Sequence, residues 1–300
     1  MYHNKNRVII PFLAPALILY TVFVLYPYVQ AFYISLTSWS GTAMTKPFVG
    51  LKNYRDLMTD ARFLDALGRN AWFLIVLPIG TLGLSMLYAA LFTQGGQGSG
   101  IRGSSFFRIV FFFPQVISAV VVGILFQYVY SPRSGLLNGF LELVGLDSLK
   151  RSWIADPATI MWAIAFVFIW GAVGFYMVIF IASMQSIPTT FYEAAVLDGA
   201  SRWRSFRDIT FPLMWETIRT CVIYIAIAAL DMFVLVQVIT QGGSTAASQS
   251  AETVAVYMYK EAFEKSRWGS ASGVGVLLLI LTLLLSIVIM RLTKRETYEY

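Results

Sequence analysis

Six long apolar runs divide the chain, at about residues 8–34, 71–92, 106–129, 158–183, 217–239 and 271–292. A helix that crosses a bilayer needs about 20 mainly apolar residues, and each run meets that length. Polar, mixed-charge stretches separate them. The pattern predicts an all-α integral membrane protein, a single domain over residues 1–300, with six transmembrane helices. An even number of spans puts both termini on the same side. Lys5 and Arg7 precede the first run, as basic residues do in a signal peptide, but a signal peptide's apolar core is only about 7–15 residues long. This run is longer and lacks a convincing small-residue cleavage site, so it reads as a retained helix. Pro11 and Pro15 lie near its start, and Pro27 is placed to kink it.

Shorter elements fall between the runs. Gly50-Leu51-Lys52-Asn53-Tyr54 and the following LMTDARFLDAL read as an amphipathic helix along the membrane surface. Leu136 to Val144 and Val254 to Phe263 read as short loop helices, and Trp153 as an interface anchor. Gln115 and Gln127, inside the third run, need polar partners. The segment TQGGQGSGIRGSS is rich in Gly and Ser, as phosphate-binding loops are. It has no Lys after its last Gly and no strand-to-helix setting, and membrane helices flank it, so it is read as a turn.

Composition narrows the function classes. The chain is 58% hydrophobic and 13% charged, with a mean hydropathy of +0.69. A soluble domain carries about 25% charged residues. The net charge of +6 does not point to nucleic acid, because the basic residues are scattered between the runs. It suits a protein lying against anionic lipid. The single cysteine, Cys221, excludes an internal disulfide, and the single histidine, His3, argues against histidine-based metal or triad chemistry. A membrane enzyme would need titratable residues clustered near one membrane face, and none cluster. An ATPase-independent secondary transporter often shows inverted repeats and several intramembrane charges. No repeat is evident, and Asp231 is the one mid-span charge.

The most structured loop is Tyr192 to Pro212, YEAAVLDGASRWRSFRDITFP, between the fourth and fifth runs. Thr190-Phe191-Tyr192-Glu193 has capping-box spacing, with Pro188 just upstream, so a short helix is expected to start there. Ala194 and Ala195 keep one face shallow. Gly199, after Asp198, can adopt a left-handed conformation and end the helix, and Ser201 can cap a second one running towards Pro212. The product is a compact knob of two short helices. Arg202, Arg204 and Arg207 are read as lipid-facing charges.

The spacing in that loop is Glu193-Ala194-Ala195, three residues, Gly199, nine residues, Ile209, two residues, Pro212. It resembles the EAA coupling loop of type I ABC-importer permeases, the binding-protein-dependent inner-membrane components, in the branch that handles sugars and glycerol phosphates. The resemblance extends from about Pro11 to Leu292, through Phe106-Phe107-Arg108 and Phe111-Phe112-Phe113-Pro114 and the order of the runs. Two positions depart from the pattern: Phe211 stands where Leu is usual, and Gly242-Gly243 lacks the usual Gly-Pro continuation. Lys and Arg divide evenly between the two sides, so the positive-inside rule gives no orientation. The resemblance implies an inner-membrane, multi-pass protein with the loop 184–214 and both termini in the cytoplasm. The implied partners are a second homologous permease in a heterodimer, two ATP-binding subunits that hold ATP and Mg, and an external solute-binding protein. The chain itself would carry no catalytic residue, cofactor or metal. Glu193 would meet a basic residue of the ATPase, Ala194, Ala195 and Gly199 would set the fit, Asp198 would belong to the same coupling surface, and Ile209 and Pro212 would pack the second short helix against the membrane domain.

The resemblance also aligns a substrate path with Gln115, Phe168, Gly171, Phe175, Asp231 and Met232. Phe168, Gly171 and Phe175 share a helical face at i, i+3, i+7. Flat rings can cover the C–H faces of a sugar, and a carboxylate or amide can bond its hydroxyls. An acid at mid-membrane costs about 2.5–3.5 kcal/mol on insertion and usually faces a partner or a wet cavity. A carboxylate there repels an anion, which favours a neutral mono- or oligosaccharide over a glycerol phosphate.

Overall fold

The computed structural model describes residues 6–93, 103–241 and 245–293, and among them every regular element is a helix, apart from one isolated bridge between Thr37 and Phe48. The first helix, α1, runs in three contiguous pieces, Asn6–Tyr20, Thr21–Leu25 and Tyr26–Ser35. The middle piece is a π turn placed just before Pro27. Proline cannot donate to the preceding turn, and the wider turn absorbs the missing bond without breaking the span.

The amphipathic segment after α1 divides at Asp60. Its first half is α2, Lys52–Thr59, and its second half is the start of α3, Ala61–Thr93. The carboxylate of Asp60 accepts from the backbone N–H of Arg62 at 2.8 Å and of Phe63 at 3.3 Å, capping α3. The second span therefore begins ten residues earlier than the apolar run suggests (Ala61 against Ala71).

The third run is not one straight helix. Helix α4, Ser104–Phe112, passes through a 3₁₀ turn, Phe113–Val116, before α5, Ala119–Val129, and the two halves are bent by 99°. Pro114 sits in the first positions of that turn, and extended Ile117 ends it. Gly174 permits the crossing, because a Cβ there would lie 1.9 Å from the Phe111 carbonyl oxygen. Beyond α5 come α6, Leu136–Leu143, and the long α7, Ile160–Gln185. Then follow α8, Thr189–Leu197, and α9, Arg202–Ser205, which continues as a π turn, Phe206–Thr210, and a last turn, Phe211–Leu213.

The fifth run is also divided. Helix α10, Trp215–Leu230, lies at 67° to the segment Arg202–Leu213 and stops at Asp231; α11, Val234–Gln241, follows. Asp231 is therefore not inside a continuous span but at a helix break. After α12, Thr245–Ser250, and α13, Val254–Tyr259, the chain enters a π turn, Lys260–Glu264, and then α14, Trp268–Leu292. Four helices are long and apolar enough to cross a membrane, and the two bent pairs bring the number to as many as six. The Gly-Ser segment 94–102 and Gly242-Gly243 lie outside the described residues.

The described residues fall into two compact units. One runs to Asp65 and includes Tyr257–Leu281. Its centre is Phe63 edge-on to Tyr257, with ring centroids 5.7 Å apart, and the Tyr257 hydroxyl donating to Asp60 Oδ2 at 2.9 Å. Asn53 Nδ2 donates to the carbonyls of Ser35 and Thr37, tying α2 to the end of α1. The other unit holds Ala66–Val256 and the residues from Thr282. Its core lies around α7, where Ile160, Ile164, Met177, Phe180 and Met184 are fully buried with Phe73, Leu77 and Ile225.

Candidate functional site

Two places in the second unit collect the residues singled out in the sequence. The first is the break after α10. Stopping a helix leaves its last carbonyls unbonded, and burial makes that costly. Buried Asn70 on α3 resolves this, donating to the carbonyls of Ala229 at 2.8 Å and Leu230 at 3.3 Å and accepting from Val254 N–H at 2.8 Å. Thr253 Oγ1 donates to the Met232 carbonyl at 3.2 Å. Phe233 N–H donates to the Asp231 carbonyl at 2.8 Å, closing a tight turn. Asn70 and Thr253 thus hold the backbone on which Asp231 and Met232 sit. Neither stood out in the sequence, since a single Asn or Thr carries no pattern.

A cavity of about 480 Å³ opens beside this break. Gln115 reaches it from the 3₁₀ turn, Phe168 and Gly171 from α7, and Asp231 and Met232 from the break. The side chains of Gln115 and Asp231 are exposed and make no hydrogen bond or ion pair among the described residues. Gly171 has nothing within 4 Å of where a Cβ would stand, so the space beside it is open. Apolar walls with one carboxylate, one amide and an aromatic face can take a ligand that has both C–H surface and hydroxyls. Phe175 is different. It lies one turn along the same helical face but does not line this cavity, and its ring packs edge-on to Tyr176. Gln127 also turns away, donating to the Val238 carbonyl of α11.

The second place is the pair α8 and α9. Helix α8 begins at Thr189 after Pro188 and has no side-chain cap, so the expected capping box at Thr190 and Glu193 does not form. Its end agrees with the expectation. Gly199 has φ +71°, Ala200 N–H bonds the Ala195 carbonyl at 2.8 Å, and Gly199 N–H bonds that of Val196 at 3.0 Å. Ser201 then caps α9, its hydroxyl accepting from Arg204 N–H at 3.3 Å. Buried Tyr192 and Thr210 join the two helices through their hydroxyls, 3.0 Å apart.

Glu193, Ala194, Asp198 and Gly199 are exposed on this knob, whereas Ala195 is buried within the chain itself. Ile209 packs on the core, but Pro212 is exposed and does not. Arg204 and Arg207 both approach Asp208, at 3.6 and 3.9 Å. The outward face carries large apolar groups that the sequence reading passed over: Leu197 is 89% exposed, Trp203 71% and Val196 62%. Their signal was available, since three such residues in a polar loop have no reason to face water unless something covers them. Glu193 makes no hydrogen bond or ion pair among the described residues.

Residues 86–296 match the model of the family described as binding-protein-dependent transport system inner membrane component. The chain is 40% identical to the diacetylchitobiose uptake system permease protein NgcF of Streptomyces coelicolor, over 91% of this chain and 78% of that protein. It is 30% identical to the multiple sugar-binding transport system permease protein MsmF of Streptococcus mutans, over 95% and 94%. In fold it matches a crystal structure of a bacterial ABC transporter involved in import of the acidic polysaccharide alginate, with a TM-score of 0.84 over 98% of this chain and 97% of that one, at 20% identity.

Proposed function

The chain belongs to the binding-protein-dependent transport inner-membrane components, the permease subunits of ABC importers, and from that premise we propose that it forms half of a pathway for a carbohydrate, a neutral mono- or oligosaccharide. It is a permease and not the catalytic subunit; ATP and Mg belong to a separate ATP-binding chain. A solute-binding protein delivers the substrate on the side opposite the knob. The observation that carries this reading is the convergence of Gln115, Phe168, Gly171, Asp231 and Met232 on one cavity from three segments far apart in sequence. Relatives handling diacetylchitobiose and multiple sugars support the substrate class. Asp231 is the one carboxylate on that wall, and its charge disfavours an anionic substrate.

The knob is read as the cytoplasmic docking element for the ATPase, which puts both termini on the cytoplasmic side. When the ATPase pair closes, a rigid knob transmits the motion into α7 and α10, to which it is joined directly. Leu197, Trp203 and Val196 would enter an apolar groove of the ATPase, and Glu193 would meet a basic group at its rim. The second permease, a homologue, closes the other half of the cavity.

The test is Asp231→Ala in the assembled transporter. Uptake of labelled oligosaccharide is expected to fall while co-purification of the ATPase and nucleotide binding stay at the wild-type level. Normal uptake, or loss of the second permease from the complex, would sink the assignment of the cavity.

A further inference from the structure

At the end of α7 remote from the knob lies a second and larger cavity, of about 730 Å³. Its walls are Phe126, Val129, Leu136, Leu137, Phe140 and Phe166, from α5, α6 and the start of α7. The apolar surface continues outward, with Leu136, Phe140 and Leu143 exposed along one face of α6 and Trp162 60% exposed beside it. Its one charged lining residue is Arg151.

The rim is built rather than loose. Buried Asn138 donates to the carbonyls of Arg151 at 2.9 Å and Pro132 at 3.3 Å, and its Oδ1 accepts from the indole N–H of Trp153 at 2.8 Å. Thr159 Oγ1 donates to the Trp153 carbonyl at 2.8 Å. The backbone at Arg151 and the ring of Trp153 are therefore held in place. The Arg151 side chain itself is exposed and has no partner among the described residues. Its neighbour Lys150, by contrast, is paired with Glu142 and Asp147.

We propose that this cavity is a binding site for an anionic phospholipid, with an acyl chain between α5, α6 and α7 and the headgroup phosphate on Arg151. The chemistry follows from the two ends of the site. A cavity walled by Leu, Val and Phe in a membrane protein offers a hydrocarbon chain what the bilayer offers. An unpaired guanidinium at its mouth offers two parallel N–H groups to a phosphate. Trp153 and Trp162 mark the level at which chain gives way to headgroup, where indoles concentrate. A protein partner would have to leave that arginine unpaired or bring a carboxylate to it; the lipid supplies the anion and the apolar filling in one molecule. The site lies in the leaflet opposite the knob. It is distinct from the cavity at Asp231, so its occupancy can be read without transport.

The experiment uses the purified transporter complex in detergent, incubated with dioleoyl phosphatidylglycerol or dioleoyl phosphatidylcholine and examined by native mass spectrometry. Wild type is expected to retain one phosphatidylglycerol more tightly than phosphatidylcholine, and Arg151→Gln to lower that preference roughly fivefold, the loss of one cationic contact with an anionic headgroup. Arg151 is a surface residue, so this variant leaves folding intact. In parallel, p-benzoylphenylalanine at position 140 is photolysed in the intact complex in phosphatidylglycerol nanodiscs. A crosslink to lipid supports the site. Equal retention of both lipids by wild type, an unchanged preference in Arg151→Gln, or a crosslink to the second permease or to the binding protein overturns it.

Discussion

At the scale of single residues, Gly199 separates backbone need from surface need. Its φ of +71° is a conformation that L-residues other than Asn and Asp rarely enter, at about 1–2 kcal/mol. A Cβ added there meets nothing within 4 Å. The position is strained for most residues but open. Asn and Asp have nearly the same shape and both visit this region, so the pair isolates charge. Gly199→Asn is expected to keep uptake and ATPase association. Gly199→Asp is expected to insert normally and lose uptake, because it places a new charge beside Leu197 on the apolar face proposed to dock the ATPase. Equal uptake by both variants would show that the knob face is not buried by the ATPase.

At the scale of elements, helix ends decide most of what is distinctive. Asn70 satisfies three backbone groups at once, two carbonyls of α10 and the N–H of Val254. Asn70→Ala strands them in a buried place, at about 1–3 kcal/mol for an unsatisfied group. The expected result is a lower Tm of the purified permease together with weakened uptake, since the turn carrying Asp231 and Met232 loses its support. A variant with unchanged Tm and unchanged uptake would remove Asn70 from the site. Asp60 caps α3 in a similar way. Burial raises its carboxyl, but the hydrogen bonds from Tyr257, Phe63 and Arg62, and the charge of Lys265, together hold it below the ordinary carboxylate value. A depressed carboxyl stabilises the fold above its unfolded pKa, and that stability is lost as pH falls through the folded value. The contribution should therefore begin to fall below about pH 4 and be lost once pH has dropped past the folded value. Tyr257→Phe, measured as Tm against pH, should shrink that acid loss while lowering Tm at neutral pH.

At the scale of the whole molecule, the chain leaves surfaces that a membrane and partners must cover. Helix α1 exposes Phe12, Leu17, Phe23 and Val29, and the knob exposes Leu197 and Trp203. The exposed carboxylate of Asp231 and the amide of Gln115 line an open cavity. The pathway proposed for this cavity needs a second wall. Purified from its native membrane, the chain is expected in a particle with one copy of a different permease and two ATP-binding chains. Mass measurement of the intact complex decides this, and an active particle with two copies of this chain would replace the heterodimer by a homodimer.

How much of this was legible beforehand depends on the range of the interactions involved. The all-helical membrane character, the positions of the apolar runs, the left-handed Gly199 and the Ser201 cap follow from local physics. Solvent transfer acts on each segment separately, and a glycine before a serine shapes a turn without outside help. The breaks in the third and fifth runs were not legible. Apolar composition is the same whether a segment spans straight or folds at 99°, and Pro114 becomes a bend only because Gly174 on α7 lets the Phe111 carbonyl in. Periodicity put Phe175 with Phe168 and Gly171, yet the cavity ends before it, because packing and not helical phase sets a cavity's length. Likewise Ala195 and Pro212 exchanged their expected roles, one buried and one exposed, through the way α8 and α9 lean on the core. The sequence by itself determined what each segment is made to sit in. Only the tertiary structure decided which side chains meet, because that choice rests on backbone approaches and buried hydrogen bonds, such as those of Asn70, between residues more than 150 positions apart.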